Sequence, residues 1–248
     1  MPVISLACTP ERLTRFRATN PHIAAGLLPA IDGRAVGYVG FLPAHLPWTP
    51  GAVGCMLSHL TFWDQVIAAN RPTTVFEDDA IIHHRFIEHS SAILAALPEN
   101  WDICLWGWNF DAPMVFDPSA ARMRVMTLFN QDELRANPAA FQAGDIRPFA
   151  PRLRRFHGTV SYAVSPAGAA TLRRLCIPIR DMEIDYPGAR LPNAGIDRAI
   201  NATLDQMEAF VCFPPLVATE NRHETSTVLD VSGGSPTAQL NGHQRGAA

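Results

Sequence analysis

Three consecutive carboxylates at residues 77–79 directly follow a short apolar run at residues 73–76, and this stretch constrains the fold more than any other. A segment with apolar side chains at helical spacing, residues 53–67, precedes the run. A helix followed by a buried strand is typical of an α/β sheet, in which ligands gather at the carboxyl ends of the strands. Because an acidic triplet is costly to bury, the pattern predicts that these carboxylates lie at that edge of the sheet.

Length and composition limit the class of protein. The chain has 248 residues, of which 48% are hydrophobic and 17% charged, so it can bury a sizeable core and is not globally disordered. The formal net charge of −3 argues against a nucleic-acid-binding protein. We expect a single domain over residues 1–230 and a disordered tail, rich in Gly, Ser, Thr and Gln, over residues 231–248.

Several sequence features indicate the cellular compartment in which the protein functions. The five cysteines are scattered without a CxxC pair, which argues against a zinc knuckle and fits a reducing environment. The first residues form a strand-like apolar run without the charged region or cleavage site of a signal peptide. No apolar run reaches the length of about 18 residues typical of a membrane-spanning helix. We therefore expect a soluble, cytoplasmic protein.

The remaining patterns alternate between strands and helices. Helices are predicted at residues 10–20, 86–97, 169–175 and 196–207, and strands at residues 3–7, 27–31, 102–106, 158–164 and 210–213. Residues 34–48, 111–157 and 177–195 lack periodicity and are predicted to be loops, apart from a candidate strand at residues 125–129. The sequence thus predicts an α/β fold with a mostly parallel central sheet flanked by helices.

The acidic triplet suggests a metal site. On an extended chain, the carboxylates of Glu77 and Asp79 would point the same way and that of Asp78 the opposite way. Carboxylate oxygens are the ligands that Mn²⁺ and Mg²⁺ prefer, and a metal held there would neutralise a departing diphosphate. A solvated loop or a helix N-cap cluster is the alternative for a bare triplet.

The predicted helix before the strand carries a second signal. Its first turns are rich in small residues, Gly51 and Gly54 among them, which would let backbone amides approach an anion. Ser58 and His59 are polar residues inside the apolar segment. A core histidine, with a serine bonded back to its own helix, is the structural alternative, and these residues alone favour it.

Taken in order, these motifs resemble glycosyltransferase family 25. The resemblance rests on Thr-Pro-Gly-x-x-Gly-Cys-x-Leu-Ser-His from Thr49, the acidic triplet, Gly-Thr-x-x-Tyr-x-x-Ser from Gly158, and the Ala-Ile-Asp-Gly turn from Ala30, and it covers about residues 2–228. The family includes bacterial lipooligosaccharide galactosyltransferases and the collagen galactosyltransferases. The resemblance implies a GT-A-like nucleotide-sugar-binding fold and transfer of a hexose, galactose above all, from a UDP-sugar to a saccharide or glycolipid acceptor with Mn²⁺ or Mg²⁺.

The resemblance also implies roles for individual residues. Glu77 and Asp79 would bind the metal, and Asp197, with Asp185 second, fits the position of a general base. A helix N-cap or first-turn carboxylate is the alternative for Asp197. The candidates for donor binding are Arg12, Asp32, Gly54, Ser58, His59 and Asp78, and those for acceptor binding are Trp108 and His157. Plain core is the alternative for an aromatic residue after a strand, and a structural role the alternative for a lone histidine beside one.

One departure from the family pattern keeps another function open. Ala52 stands where the family usually has Glu. If that Glu serves catalysis or the donor, the chain would be an inert sugar-nucleotide-binding relative; if it only caps the helix, little changes. A metal-dependent hydrolase built from Asp78, Asp79, His83, His84 and His157 is a further alternative. It is weaker, because adjacent histidines point apart and no HxD or HExxH spacing is present.

A basic cluster lies between Arg147 and Arg155. It could contact the phosphates of a glycolipid acceptor or an anionic membrane, which would place the protein peripherally at the inner membrane surface. A solvated basic loop is the favoured alternative.

Overall fold

The structure is a computed structural model that describes residues 1–37, 39–119, 123–186 and 189–222. The tail predicted at residues 231–248 lies outside these ranges. The α/β class is confirmed: within the described ranges, nine strands form one mixed sheet flanked by helices, consistent with a GT-A-like fold.

The strands, in chain order, are β1 (Pro2–Ser5), β2 (Gly26–Pro29), β3 (Thr73–Glu77), β4 (Ala80–Ile82), β5 (Ile103–Gly107), β6 (Met114–Asp117), β7 (Val125–Thr127), β8 (Arg152–Arg155), β9 (Ser161–Val164), β10 (Glu183–Tyr186), β11 (Ala189–Pro192), β12 (Ala209–Val211) and β13 (Val217–Thr219). The helices are α1 (Pro10–Thr19), α2 (Pro50–Ala69), α3 (Phe86–Ala96), α4 (Gln131–Ala136), α5 (Pro138–Ala143), α6 (Pro166–Cys176) and α7 (Ile196–Asn201), with 3₁₀ turns at Gly33–Ala35 and Leu204–Gln206.

The main sheet has the strand order β2-β1-β3-β9-β5-β12-β8-β6-β7. β1 is parallel to β2 and β3, and β5 is parallel to β12. β9 enters antiparallel between β3 and β5, and β6 pairs antiparallel with both of its neighbours. The alternation of helices and strands would place β3 and β5 side by side, but β9, from later in the chain, lies between them. The sheet is therefore mixed rather than mostly parallel.

The strand register brings distant segments to one edge of the sheet. β1 and β3 run parallel and end at Ser5 and Glu77. β9 runs the opposite way, and its first residue, Ser161, lies opposite both Phe76 and Gly107. The residues that precede β9 therefore reach the same edge as those that follow β1, β3 and β5. We call this the site edge.

α2 packs its apolar face into the core, as its spacing predicted, with Met56, Trp63 and Val66 at most 1% exposed. Thr49 caps its first turn by accepting a 3.0 Å hydrogen bond from the Ala52 amide. The helix lies close to the 3₁₀ turn at Gly33–Ala35, where a Cβ atom on Gly54 would stand 2.4 Å from the Ile31 carbonyl oxygen. Only glycine allows this backbone-to-backbone approach.

Two segments predicted to be loops contain regular structure. Residues 111–157 include β6, α4, α5 and β8, and residues 177–195 include the β10–β11 hairpin. No helix in the described part of the chain is long and apolar enough to cross a membrane.

Candidate active site

The acidic triplet forms the end of β3 and a turn. Glu77 is the last residue of β3, and residues 78–79 turn the chain into β4 instead of continuing as an extended strand. The expected alternation along an extended chain is therefore wrong. The turn sends Asp78 into the protein, where it is 8% exposed, and leaves Asp79 exposed.

Asp78 ties the triplet to the first strand and helix. One carboxylate oxygen accepts a 2.7 Å hydrogen bond from the Ser5 hydroxyl, and the other accepts bonds of 2.8 and 2.5 Å from Nε and Nη2 of Arg12. The structure thus brings Arg12 and Asp78, two predicted donor residues, into direct contact. Burial lowers the pKa of Arg12, but the bond and charge of Asp78 outweigh it and raise that pKa.

Glu77 is held through one oxygen. Its Oε1 accepts a 2.6 Å hydrogen bond from the Thr159 hydroxyl and lies 3.4 Å from Nε2 of His59. Burial raises the pKa of Glu77, but these interactions with His59 and Thr159 outweigh it and lower the pKa, so the carboxylate is ionised at neutral pH. No described residue donates a hydrogen bond to Oε2, which leaves this oxygen for a ligand.

Asp79 combines exposure with an unfavourable environment for its charge. Its side chain reaches solvent, yet the surrounding protein removes enough hydration to disfavour its charge. This desolvation, followed by repulsion from Glu77, raises the pKa of Asp79 from an ordinary 3.8 to about 6. A cation between two such carboxylates would relieve the repulsion, so Glu77 and Asp79 fit a hard divalent ion.

The structure also brings together a second set of possible metal ligands. The ligand atoms of Cys55, His59 and Glu77 all lie within 4.8 Å of one another. Sulfur and imidazole suit softer ions such as Zn²⁺ rather than Mn²⁺ or Mg²⁺. Burial, and then the charge of Glu77, raises the pKa of the Cys55 thiol well above its ordinary value, so the thiolate that zinc requires is disfavoured.

A backbone turn at Gly158 lies at the same edge. Gly158 has a φ of +76°, and a Cβ atom there would meet the Asn109 side-chain oxygen at 2.3 Å, so glycine is required. Its amide donates a 3.1 Å hydrogen bond to Oδ2 of Asp197, which lies in the first turn of α7. The structure therefore brings Asp197 to the segment that also carries Thr159.

His157, directly before this turn, stacks on Tyr186 with ring centroids 4.1 Å apart. It is 8% exposed, and burial lowers its pKa despite the charge of Asp197. Its buried Nε2 has no hydrogen-bond partner within the described residues.

Asp185, the second candidate base, lies elsewhere. Its carboxylate is 72% exposed and forms a 2.9 Å ion pair with Arg190 on the neighbouring strand of the hairpin. Alternation along β10 places it on the face opposite Tyr186, the residue that packs on His157. The structure does not bring Asp185 together with the triplet.

Two predicted donor residues on α2 serve packing. Gly54 is in close contact with the backbone of Ile31, as described above. The Ser58 hydroxyl donates to the Gly54 carbonyl at 2.7 Å and accepts from the Ile31 amide at 2.9 Å. Both residues thus join α2 to the segment after β2, and for Ser58 this is the structural role that the residues alone favoured. Asp32, in that segment, caps the 3₁₀ turn and pairs with Arg34 at 2.9 Å.

Trp108 does not fit its expected role as a sugar platform. It is 0% exposed and packs against Phe110 and Phe129 at centroid distances of 5.2 and 5.8 Å. With no ring face at the surface, Trp108 belongs to the core. The sequence could not separate the two roles, because an aromatic residue after a strand is common in both.

The histidines of the hydrolase alternative are engaged elsewhere. His83 Nε2 donates to the Gly144 carbonyl at 2.8 Å, and its Nδ1 accepts from the Arg85 amide at 3.1 Å. His84 packs edge-on against His22. The structure thus holds His83 in place as a structural residue, and this weakens the hydrolase alternative.

The expected basic cluster is partly a strand, and the arginines of that strand are ion-paired, whereas Arg147 is exposed before it. β8 carries Arg152, Arg154 and Arg155, which form ion pairs with Glu208, Asp117 and Asp205 respectively. Because each arginine faces an acid, β8 is not the unmatched basic surface that phosphate or membrane binding would require.

The comparison with known proteins agrees with this geometry. Residues 43–187, more than half of the chain, match the sequence profile "Glycosyltransferase family 25 (LPS biosynthesis protein)". The chain belongs to glycosyltransferase family 25. The matched segment contains the triplet, His59 and Thr159, but ends before Asp197.

Individual members of glycosyltransferase family 25 are similar over a shorter stretch. The chain is 32% identical over 124 residues to a rat protein named "Probable inactive glycosyltransferase 25 family member 3", a match that covers 42% of this chain and 22% of the rat protein. It is 33% identical over 125 residues to the human "Inactive glycosyltransferase 25 family member 3", covering 42% and 21%. It is 31% identical over 125 residues to an Aedes aegypti "Glycosyltransferase 25 family member", covering 42% and 20%. The chain thus spans about a fifth of these relatives.

Three residues at the site were not predicted to act there. Thr159 and Ser5 bind the triplet, and Tyr162 contacts His59. Thr159 and Tyr162 belong to the Gly-Thr-x-x-Tyr motif, which carried a signal, whereas a serine at the end of β1 carries none without the strand register.

Proposed function

We propose that this protein transfers a hexose, galactose in the first instance, from a UDP-sugar to a saccharide or glycolipid acceptor. The observation that carries the proposal is the pair of carboxylates at the site edge: Glu77, ionised and held through one oxygen, beside Asp79, whose pKa is raised by desolvation and by repulsion from Glu77 despite the charge of Arg12. Family membership supports the reaction class, and the family description supports an acceptor related to lipopolysaccharide.

Glu77 and Asp79 would hold Mn²⁺ or Mg²⁺. A divalent ion bound there would supply charge to balance the departing diphosphate. Both carboxylate oxygens of Asp78 accept hydrogen bonds, from Ser5 and from Arg12. We therefore assign Asp78 the role of fixing the turn that presents the carboxylates of Glu77 and Asp79. Donor contacts from Arg12 and Asp32 stay part of the proposal, since both follow strands that end at the site edge.

Asp197 is the residue that we assign to deprotonation of the acceptor hydroxyl. It lies beside the Gly158 turn, and its Oδ2 accepts the Gly158 amide, which fixes the carboxylate at the site edge. Asp185 is the weaker candidate, because it is exposed and paired with Arg190. His157 stays a candidate for acceptor contact, and Trp108 is not proposed.

Release of UDP from a panel of UDP-sugars in Mn²⁺ tests the reaction. We expect the rate of UDP release from one UDP-sugar to be well above the rates from the others. Asp197→Asn should keep donor binding and lose about 10²–10⁴-fold in turnover, the usual contribution of a general base. Asp185→Asn is the matched control and should leave turnover unchanged. Normal turnover by Asp197→Asn would assign the base to another residue.

An inert sugar-nucleotide-binding relative is the second candidate. Ala52 replaces the usual Glu, and mammalian relatives carry "inactive" in their names. Ala52 is the third residue of α2, after the Thr49 cap, which is where the Glu of a capping box stands. This position supports the capping interpretation and therefore the active enzyme. Metal-dependent UDP binding without release from any UDP-sugar would favour the inert relative.

The proposed location of the protein in the cell depends on the acceptor. A lipid-linked acceptor would bring the protein to the inner membrane surface, and a cytoplasmic location stays a prediction. The ion-paired arginines of β8 do not supply that contact.

A further inference from the structure

A chain of buried hydrogen bonds runs from α2 to the triplet. Trp63 Nε1 donates to the Tyr162 hydroxyl at 2.8 Å, and this hydroxyl lies 2.8 Å from Nδ1 of His59. Nε2 of the same histidine lies 3.4 Å from Oε1 of Glu77. Trp63 and Tyr162 are 0% exposed and His59 1%, so these bonds lie inside the protein.

The donors and acceptors in this chain have one consistent order. An indole N–H can only donate, so the Tyr162 oxygen accepts from Trp63. The proton of the Tyr162 hydroxyl then points to His59 Nδ1, its other neighbour. The arrangement that satisfies all of these groups leaves Nδ1 as the acceptor and places the ring proton on Nε2. The network thus assigns the tautomer that can donate to Glu77.

We propose that His59 is a positioning residue for Glu77, an inference that rests on the proposed metal-dependent transfer. His59 and Thr159 hold the same oxygen, Oε1, so Oε2 would be the oxygen available to a cation. The bond from His59 is long in this structure, and such bonds commonly shorten when the ligand binds. Tyr162 and Trp63 act one step further away by fixing the tautomer.

The same network argues against His59 as a metal ligand. Coordination through Nε2 would move the ring proton to Nδ1, which would then donate to Tyr162. The Tyr162 oxygen would accept from both Trp63 and His59, and its own proton would lose its partner in a fully buried position. Leaving a buried donor unpaired is costly, so the site disfavours zinc at Cys55, His59 and Glu77.

Two variants of His59 separate its two bonds. In His59→Gln the amide nitrogen takes the place of Nε2 and can still donate to Glu77. In His59→Asn the amide oxygen takes the place of Nδ1 and can still accept from Tyr162, but residue 59 no longer donates to Glu77, which keeps only its bond from Thr159. We expect His59→Asn to lower Mn²⁺ affinity in the presence of UDP about 10–100-fold, the usual effect of losing a residue that supports a ligand, and His59→Gln to lower it less. Titration of free Mn²⁺ by electron paramagnetic resonance measures both.

Thermal unfolding would test whether each variant is folded. If His59 were only structural, both variants would change in stability while their Mn²⁺ affinity stayed that of the wild-type protein. That result, or an equal loss of affinity in the two variants, would overturn the proposal. Long-range ¹H–¹⁵N NMR of the wild-type protein reads the tautomer directly, and a proton on Nδ1 would overturn the inference while leaving the proposed function intact. Absence of Mn²⁺ binding by the wild-type protein would overturn the proposed function instead, and with it this role for His59.

Discussion

At the scale of single residues, the surroundings of Asp79 oppose the ionisation of its carboxyl group. Its pKa of about 6 in the folded protein lies above the ordinary 3.8, so between these values the folded state binds more protons than the unfolded state. The contribution of Asp79 to stability is therefore present at low pH and is lost as pH rises through about 6. At neutral pH, the charged carboxylate destabilises the metal-free protein.

The variant Asp79→Asn removes this charge. In the presence of a chelator, we expect it to unfold at a higher temperature than the wild-type protein at pH 7.5, and the difference to shrink or reverse at pH 4.5. Glu99→Gln, in an exposed turn after α3, is the control and should show no such trend. Thermal unfolding scans at the two pH values make the measurement, and a pH-independent difference for Asp79→Asn would contradict the account.

Residue identity alone could not decide between packing and binding. Ser58 and Gly54 match a family motif, yet both join α2 to the segment after β2 through contacts that only the tertiary structure brings about. Thr159 was within a motif, but its role depends on β9 pairing with β3, which places its hydroxyl on Glu77. The residues predict a site, and the strand register decides which of them meet.

At the scale of elements, the start of α2 offers a direct test. Thr49 supplies the cap, and no Glu completes a capping box at position 52. Because the Thr49 hydroxyl accepts the Ala52 amide, Thr49→Ala should lower the free energy of unfolding by about 1 kcal/mol, or roughly 2–4 °C in Tm for a chain of this size. Thr49→Ser keeps the hydroxyl and is the control. Equal melting temperatures for the wild-type protein and Thr49→Ala would show that the cap does not stabilise α2.

Elements with strong local signals were predictable. α2 and α3 combine apolar spacing with clear boundaries, and β3 is a short apolar run between a proline and the triplet. β8 could not be predicted, since Arg-Leu-Arg-Arg resembles a solvated loop until Glu208, Asp117 and Asp205 supply its counter-charges from distant positions. The antiparallel entry of β9 depends equally on long-range pairing.

At the scale of the whole molecule, segments from across the described chain meet at the site edge. Ser5 and Arg12 come from the first strand and helix, Glu77 from the third strand, and Thr159 and Asp197 from the second half of the chain. A ligand that joins these segments should stabilise the fold as a unit, because it binds the folded protein and not the unfolded chain.

Thermal stabilisation by UDP, with and without Mn²⁺, tests the central claim most directly. At about 100 times the dissociation constant, UDP with Mn²⁺ should stabilise the wild-type protein by about 2.7 kcal/mol, or roughly 5–10 °C in Tm, and UDP alone should do much less. Asp79→Ala should stay folded and lose the Mn²⁺-dependent part of the shift. An equal shift with and without Mn²⁺ in the wild-type protein, or an undiminished shift in Asp79→Ala, would contradict a metal-assisted donor site at Glu77 and Asp79.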